Sequence, residues 1–158
     1  DGPKGTWQEV IWTLIRERAD RQGAMMHLCT EEWDRGAAIT YCGFPIRGEE
    51  YDPLWKELDE LLENESIDDI ERERRLDLPL FKKIREDGAA RELPLICETI
   101  AAFADGRVSI VDKRLVVDGK VLDRAYDLSD MVDASLEGQR CLTSTIRPRS
   151  WGCSRTGC

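Results

Sequence analysis

A chain of 158 residues, 41% hydrophobic and 35% charged, is the size of one domain and buries enough surface to fold without disulfide or metal staples. It has no apolar run near the roughly 18 residues that a membrane span needs, and its first residues do not read as a signal peptide. A formal charge of -9, from 32 acidic and 23 basic residues, argues against sequence-independent binding to a phosphate backbone, which runs on clustered Lys and Arg.

Residues 1–6 read as a short leader. Thr6 and Glu9 then form a capping box, in which each side chain bonds a free backbone amide of the other. Trp7, Val10, Ile11, Leu14 and Ile15 follow at helical spacing and predict one apolar stripe, with Gly23 as the stop. Trp12 falls off that stripe and reads as a second contact or an exposed anchor. Residues 24–46 carry a mixed signal. Strands are expected over 25–29 and 37–42, a short helix through 31–33 fits nearly as well, and Gly43 and Pro45 are expected to break the pattern.

The next helix is signalled by Asp52-Pro53, a cap followed by proline at the first helical position. Leu54, Trp55, Leu58, Leu61 and Leu62 form its apolar face, Glu57, Glu60 and Glu63 line the other side, and Asn64 ends it. Ser66 and Asp69 cap a short helix that turns Ile67 and Ile70 inward. Pro79 and Gly88 bracket a helix over Leu80, Phe81 and Ile84. Pro94 starts another, with Leu95, Ile96, Ile100 and Phe103 as its stripe and Gly106 as its stop. The period then switches to short strands over 108–111, 114–117 and 120–122. Asp118-Gly119 between the last two is the strongest hairpin signal in the chain. Asp127 caps a last helix with Leu128, Met131, Val132 and Leu136 inward and Gly138 as stop.

The expected architecture is helix-dominated α+β, with about six helices and a small antiparallel sheet. Residues 7–138 form a single globular domain. Strands from both ends of the helical block can share one sheet. Residues 139–158 hold four Arg and no acid, show no period, and read as a basic, Cys-containing tail, disordered or appended to the fold.

Charge is uneven. Residues 49–105 hold 18 acids and 8 bases, so the middle of the chain is an acidic block. The six cysteines show no C-x-x-C spacing and are few for a disulfide scaffold of this size, which points to a reducing, cytoplasmic or otherwise intracellular setting. His27, the single histidine, and Cys29 share a face if they lie on a strand, and Cys42 on a neighbouring strand would add a third zinc ligand. The usual signatures of nucleotide binding, zinc hydrolysis and serine catalysis are missing.

Three readings compete. The first is a metal-dependent nuclease: Glu98, Asp105, Asp118 and Lys120 follow a loose D…(D/E)-x-K order, in which carboxylates hold Mg²⁺ or Mn²⁺ and a lysine aligns water. Two of those positions are already explained, Asp105 by a helix stop and Asp118 by a turn. The second is a winged helix, formed by helices over 67–75, 80–87 and 94–104 before the hairpin. Its third helix lacks side chains to read base edges. The third, and the one the sequence favours, is a non-enzymatic interaction or regulatory module without a cofactor. It would bind a basic protein surface through Glu49, Glu50, Glu57, Glu60, Glu63, Asp68 and Asp69, with Trp12 and Trp33 as aromatic anchors. An inhibitor that mimics nucleic acid is a special case of the same chemistry.

Overall fold

The structure is a computed structural model that describes Pro3, residues 5–31 and residues 36–145, the last seven of these as helical backbone alone. In chain order it contains α1 (Trp7–Arg16), β1 (Arg21–His27), β2 (Ala38–Pro45), α2 (Asp52–Leu62), α3 (Ile67–Arg74), α4 (Pro79–Ala104), β3 (Val108–Val111), β4 (Arg114–Val117), β5 (Lys120–Leu122), β6 (Tyr126–Asp127) and α5 (Ser129–Thr145). The fold is α+β and helix-rich. Its described residues form five helices rather than six, because the helices expected before Gly88 and after Pro94 are one helix, α4.

Two residues explain why α4 does not break. Gly88 is buried where the helix crosses β1, and a Cβ there would lie 3.1 Å from the Gln22 side-chain nitrogen. Its lack of a side chain serves close packing, not termination. Pro94 is buried and removes one backbone hydrogen bond. The residue whose carbonyl loses that partner, Ala90, lies on the exposed side where water reaches it. With no break, no third helix stands before the hairpin, and the winged-helix order is not formed.

Other breakers also lie inside elements. Helix α1 ends at Arg16 and the chain turns through Arg18, which has a positive φ of 53°. Gly23 is therefore a strand residue, and a Cβ on it would meet the Cys42 carbonyl oxygen at 2.7 Å. Gly43 and Pro45 belong to β2, with Pro45 at its last position, where a missing N–H costs least. Gly138 lies within α5, which continues to Thr145 past the stop expected there.

Strands β1 and β2 pair antiparallel, and β6 joins β2 in parallel, so strands from before and after the helical block share one sheet. Strands β3, β4 and β5 form a separate antiparallel meander over the expected segments. Its second turn is Asp118-Gly119, with φ of 49° and 75°. The positive φ at both positions is what a two-residue hairpin turn needs to match strand twist. Asp112-Lys113 makes the first turn in the same way, with φ of 49° and 64°.

One hydrophobic cluster joins α1, α2, α3 and the first half of α4 around Phe81, Trp12, Trp55, Phe44 and Ile46. A second packs the meander, through Val108, Leu115 and Val117, on Ala102 of α4 and Ile39 of β2. A third packs Leu128 and, in α5, Val132 on Leu95 and Cys42. Among the described residues no helix is long and apolar enough to cross a membrane.

Candidate functional site

Helix α3 begins as its sequence directs, and α2 begins one residue earlier than expected. The Asp52 carboxylate accepts from the Gly48 amide at 2.9 Å, and Ser66 Oγ accepts from the Asp69 amide at 3.2 Å. The N-cap of α2 is Tyr51, so Asp52 is the first helical residue rather than the cap. Trp55 and Leu58 point inward, and the carboxylates turn out. Residues 49–77, which hold both helices, contain 13 acidic and 4 basic residues. The net charge of this one segment equals that of the whole chain.

The seven acidic residues expected to meet a partner divide into two groups. Glu50 pairs with Lys83 at 2.6 Å, Glu60 with Lys56 at 3.6 Å, Asp68 with Arg16 at 2.7 Å, and Asp69 with Arg72. Glu49, Glu57 and Glu63 are exposed, with no ion pair among the described residues. The hydrogen bonds from Ser66, and then the Arg72 guanidinium, hold the Asp69 carboxyl below its ordinary range. Hydrogen bonding to Glu71, and then to Asp68, raises Arg16 above its ordinary value. These are solvent-screened surface pairs, which contribute little to stability.

The aromatic anchors are not where the helical stripe puts them. Trp12 is 3% exposed and stacks on Phe81 with ring centroids 5.5 Å apart, so it is a core residue and not a docking anchor. Its indole N–H finds no acceptor among the described residues. Trp7, assigned to the core stripe, is instead 42% exposed, with its ring against Phe81 and under the Arg85 guanidinium. Trp33 lies outside the described residues.

No three His, Cys, Asp or Glu side chains gather to hold a metal ion among the described residues. His27 lies on the exposed face of β1, while Cys42 is buried on the inner face of β2, opposite Ala24. The sheet therefore separates His27 from Cys42, and Cys29 lies exposed beyond the end of β1. Burial raises the Cys42 thiol above its ordinary value, which keeps it protonated. Cys29, Cys42 and Cys97 are free thiols. The side chains of Cys141, Cys153 and Cys158 lie outside the described residues. In the nuclease set, Glu98 accepts from Ser135 Oγ at 2.7 Å, Asp105 pairs with Arg107 at 3.5 Å, and Asp118 makes its hairpin turn two residues before the exposed Lys120. The structure does not bring these groups to one centre.

It does gather a polar cluster that spacing alone did not reveal. Tyr51 Oη donates to Asp87 at 2.7 Å, and Lys83 lies 3.1 Å from Asp87 as well as beside Glu50. Arg91 lies 4.2 Å above the Phe44 ring and donates to Asp133 of α5 at 3.0 Å. Of these, Phe44, Glu50, Tyr51, Asp87 and Arg91 line a cleft of about 280 Å³ together with Arg47 and Glu49. Burial, and then the bond to Asp87, push the Tyr51 phenol above its ordinary value, and Glu50 does the same for Lys83. Both groups therefore hold their protons at neutral pH, and the cluster ties α4 to β2, α2 and α5. The one sequence signal was Lys83 and Asp87 at i, i+4.

A larger cleft of about 590 Å³ opens between the two sheets, with Met25, Leu115 and Leu122 as apolar lining and Lys113, Arg114 and Arg124 as cations. Comparison with known protein families, with curated proteins and with solved structures returned no match.

Proposed function

We propose that this chain is a protein-interaction module that engages a basic protein surface through the exposed acidic faces of α2 and α3. The observation that carries the reading is the concentration of 13 acidic against 4 basic residues in residues 49–77, with Glu49, Glu57 and Glu63 exposed and without ion-pair partners among the described residues. The paired carboxylates remain available. Exposed ion pairs are worth so little that a cationic partner displaces Lys56 or Arg72 at small cost. Such a surface steers encounter and gives salt-sensitive association. With Trp12 in the core and Trp33 outside the described residues, the reading rests on charge rather than on aromatic anchors.

The test uses a lysine-rich polypeptide as the probe. Wild type is compared with Glu57→Lys/Glu60→Lys/Glu63→Lys and with a charge-matched control, Asp112→Lys/Asp123→Lys/Asp130→Lys. The α2 variant is expected to lose most of its binding and of its salt dependence, while the control keeps both. Equal losses in the two variants would mean that bulk charge, and not this face, attracts the probe.

A further inference from the structure

We propose that two copies of this chain pair through the outer face of the second half of α4, in an antiparallel, two-fold symmetric helix contact. The observation is a helix segment without a polar face. Between residues 93 and 104 the one charged residue is Glu98, and it is taken by Ser135 of α5. Leu95, Thr99 and Ala102 fill the inner face, as an amphipathic helix requires. Opposite them, Leu93 is 64% and Ile100 62% exposed, with Ile96, Cys97 and Phe103 exposed beside them. A helix that is apolar all round belongs in an interior, yet this one has an interior on one side only.

Four features select a second copy as the occupant. Leu93, Ile96, Ile100 and Phe103 alternate steps of three and four, the narrow seam along which helices pair. Read backwards, the seam keeps its shape: a long side chain, two β-branched ones, then a bulky one. A two-fold axis between Ile96 and Ile100 therefore sets Leu93 of each copy against Phe103 of the other. Such self-complementarity is what an isologous contact needs. The exposed seam amounts to on the order of 400 Å² of apolar surface per copy, the size of the largest patch on a typical monomer, which is often a functional surface. Two copies together cover about 800 Å² of apolar surface, below the roughly 1,200 Å² of stable specific interfaces, so the dimer belongs to the weak, transient class. Charge makes the same choice. A chain of net charge -9 repels its own copy, and this face carries no unpaired carboxylate between residues 93 and 104. The contact uses none of the acidic side chains of α2 and α3, so it stands or falls separately from the basic-partner reading.

Sedimentation equilibrium over about 1–300 µM tests it, a range that brackets a dimer held by roughly 5–7 kcal/mol. Wild type is expected to show a monomer–dimer equilibrium. Leu93→Glu/Ile100→Glu is expected to stay monomeric throughout, with unchanged far-UV circular dichroism and, at concentrations where wild type is monomeric, an unchanged thermal midpoint. Cys97 lies one step from the axis, so a short bis-maleimide is expected to link wild-type chains into dimers and to lose that product in Cys97→Ser. A wild type that is monomeric at the highest concentration overturns the proposal, as does a dimer that survives the double Glu variant.

Discussion

Residues 79–91 and 92–104 of α4 share one backbone and one continuous inner face, but they present different surfaces to solvent. The first half turns Leu80, Phe81 and Ile84 into the largest core cluster and covers its outside with ion pairs, Lys82 to Asp77 at 2.8 Å and Arg85 to Glu92 at 2.7 Å. The second half turns Leu95, Thr99 and Ala102 in, yet leaves Leu93 and Ile100 outside. The fold needs only the inner faces, since these hold the sheets and the other helices against α4. The outer face is free to vary. Its departure from the usual polar composition in one half points to association rather than to folding.

The comparison can be broken most forcefully on the inner side of the first half. Phe81→Ala removes a ring that is in contact with both Trp12 and Trp7. It is expected to cost about 3–5 kcal/mol in urea unfolding. A loss below about 1 kcal/mol would mean that this half is not the anchor of the main core.

The inner side of the second half is probed at Thr99, whose hydroxyl lies 2.7 Å from the buried Thr40 hydroxyl of β2 and donates to the Leu95 carbonyl. Thr99→Val strands the Thr40 hydroxyl and is expected to cost about 1–3 kcal/mol. Adding Thr40→Val is expected to recover much of that loss, because removing both partners leaves no buried group unsatisfied. Two single losses that simply add would show the two threonines to be uncoupled.

The start of α5, which packs on the second half, gives a prediction with a sign in pH. Burial works to raise the Asp127 carboxyl, but the Ser129 hydroxyl and amide and the Tyr41 hydroxyl outweigh it, so the group sits below its ordinary value. Its contribution is present above about pH 4 and is lost as the pH falls through the lower folded value. Asp127→Asn is therefore expected to be less stable than wild type at pH 7, with the gap narrowing in acid. A gap that does not change between pH 7 and pH 2 would refute the assignment.

The smallest effect belongs to the outer face. Ile100→Ala, measured at protein concentrations where the chain is monomeric, is expected to stay within about 0.5 kcal/mol of wild type. A cost near that of Phe81→Ala would show that residue 100 is packed within a single chain.

Much of the fold was legible where the controlling interaction is local. The Thr6–Glu9 box forms with both reciprocal bonds, the Ser66 cap forms, and the meander follows the expected segments around Asp118-Gly119. Errors arose where a residue has two physical uses. Glycine and proline end elements when they face solvent, but Gly23 and Gly88 allow two backbones or a backbone and a side chain to approach, and Pro94 is absorbed in the middle of a helix. Trp7 and Trp12 exchanged roles because two tryptophans five residues apart both border the stripe. Phe81 touches both rings, and the packing of the whole helix in the main core buries Trp12 and leaves Trp7 at its edge. The Tyr51–Asp87–Lys83–Arg91 cluster was illegible because its members come from the N-cap of α2 and two turns of α4.

By itself the sequence determined the helix-rich α+β class, the meander, the Thr6 and Ser66 caps and the acidic segment. All of these depend on period, turn chemistry or net charge within a few residues. The tertiary structure decided that residues 79–104 are one helix, that β6 joins the sheet formed before the helical block, and which side of α4 is inside. That last choice cannot be made locally. Residues 93–104 have apolar side chains on opposite sides of the helix, so its composition does not decide its direction, and Ile39, Cys42 and Val132 select the side that is buried.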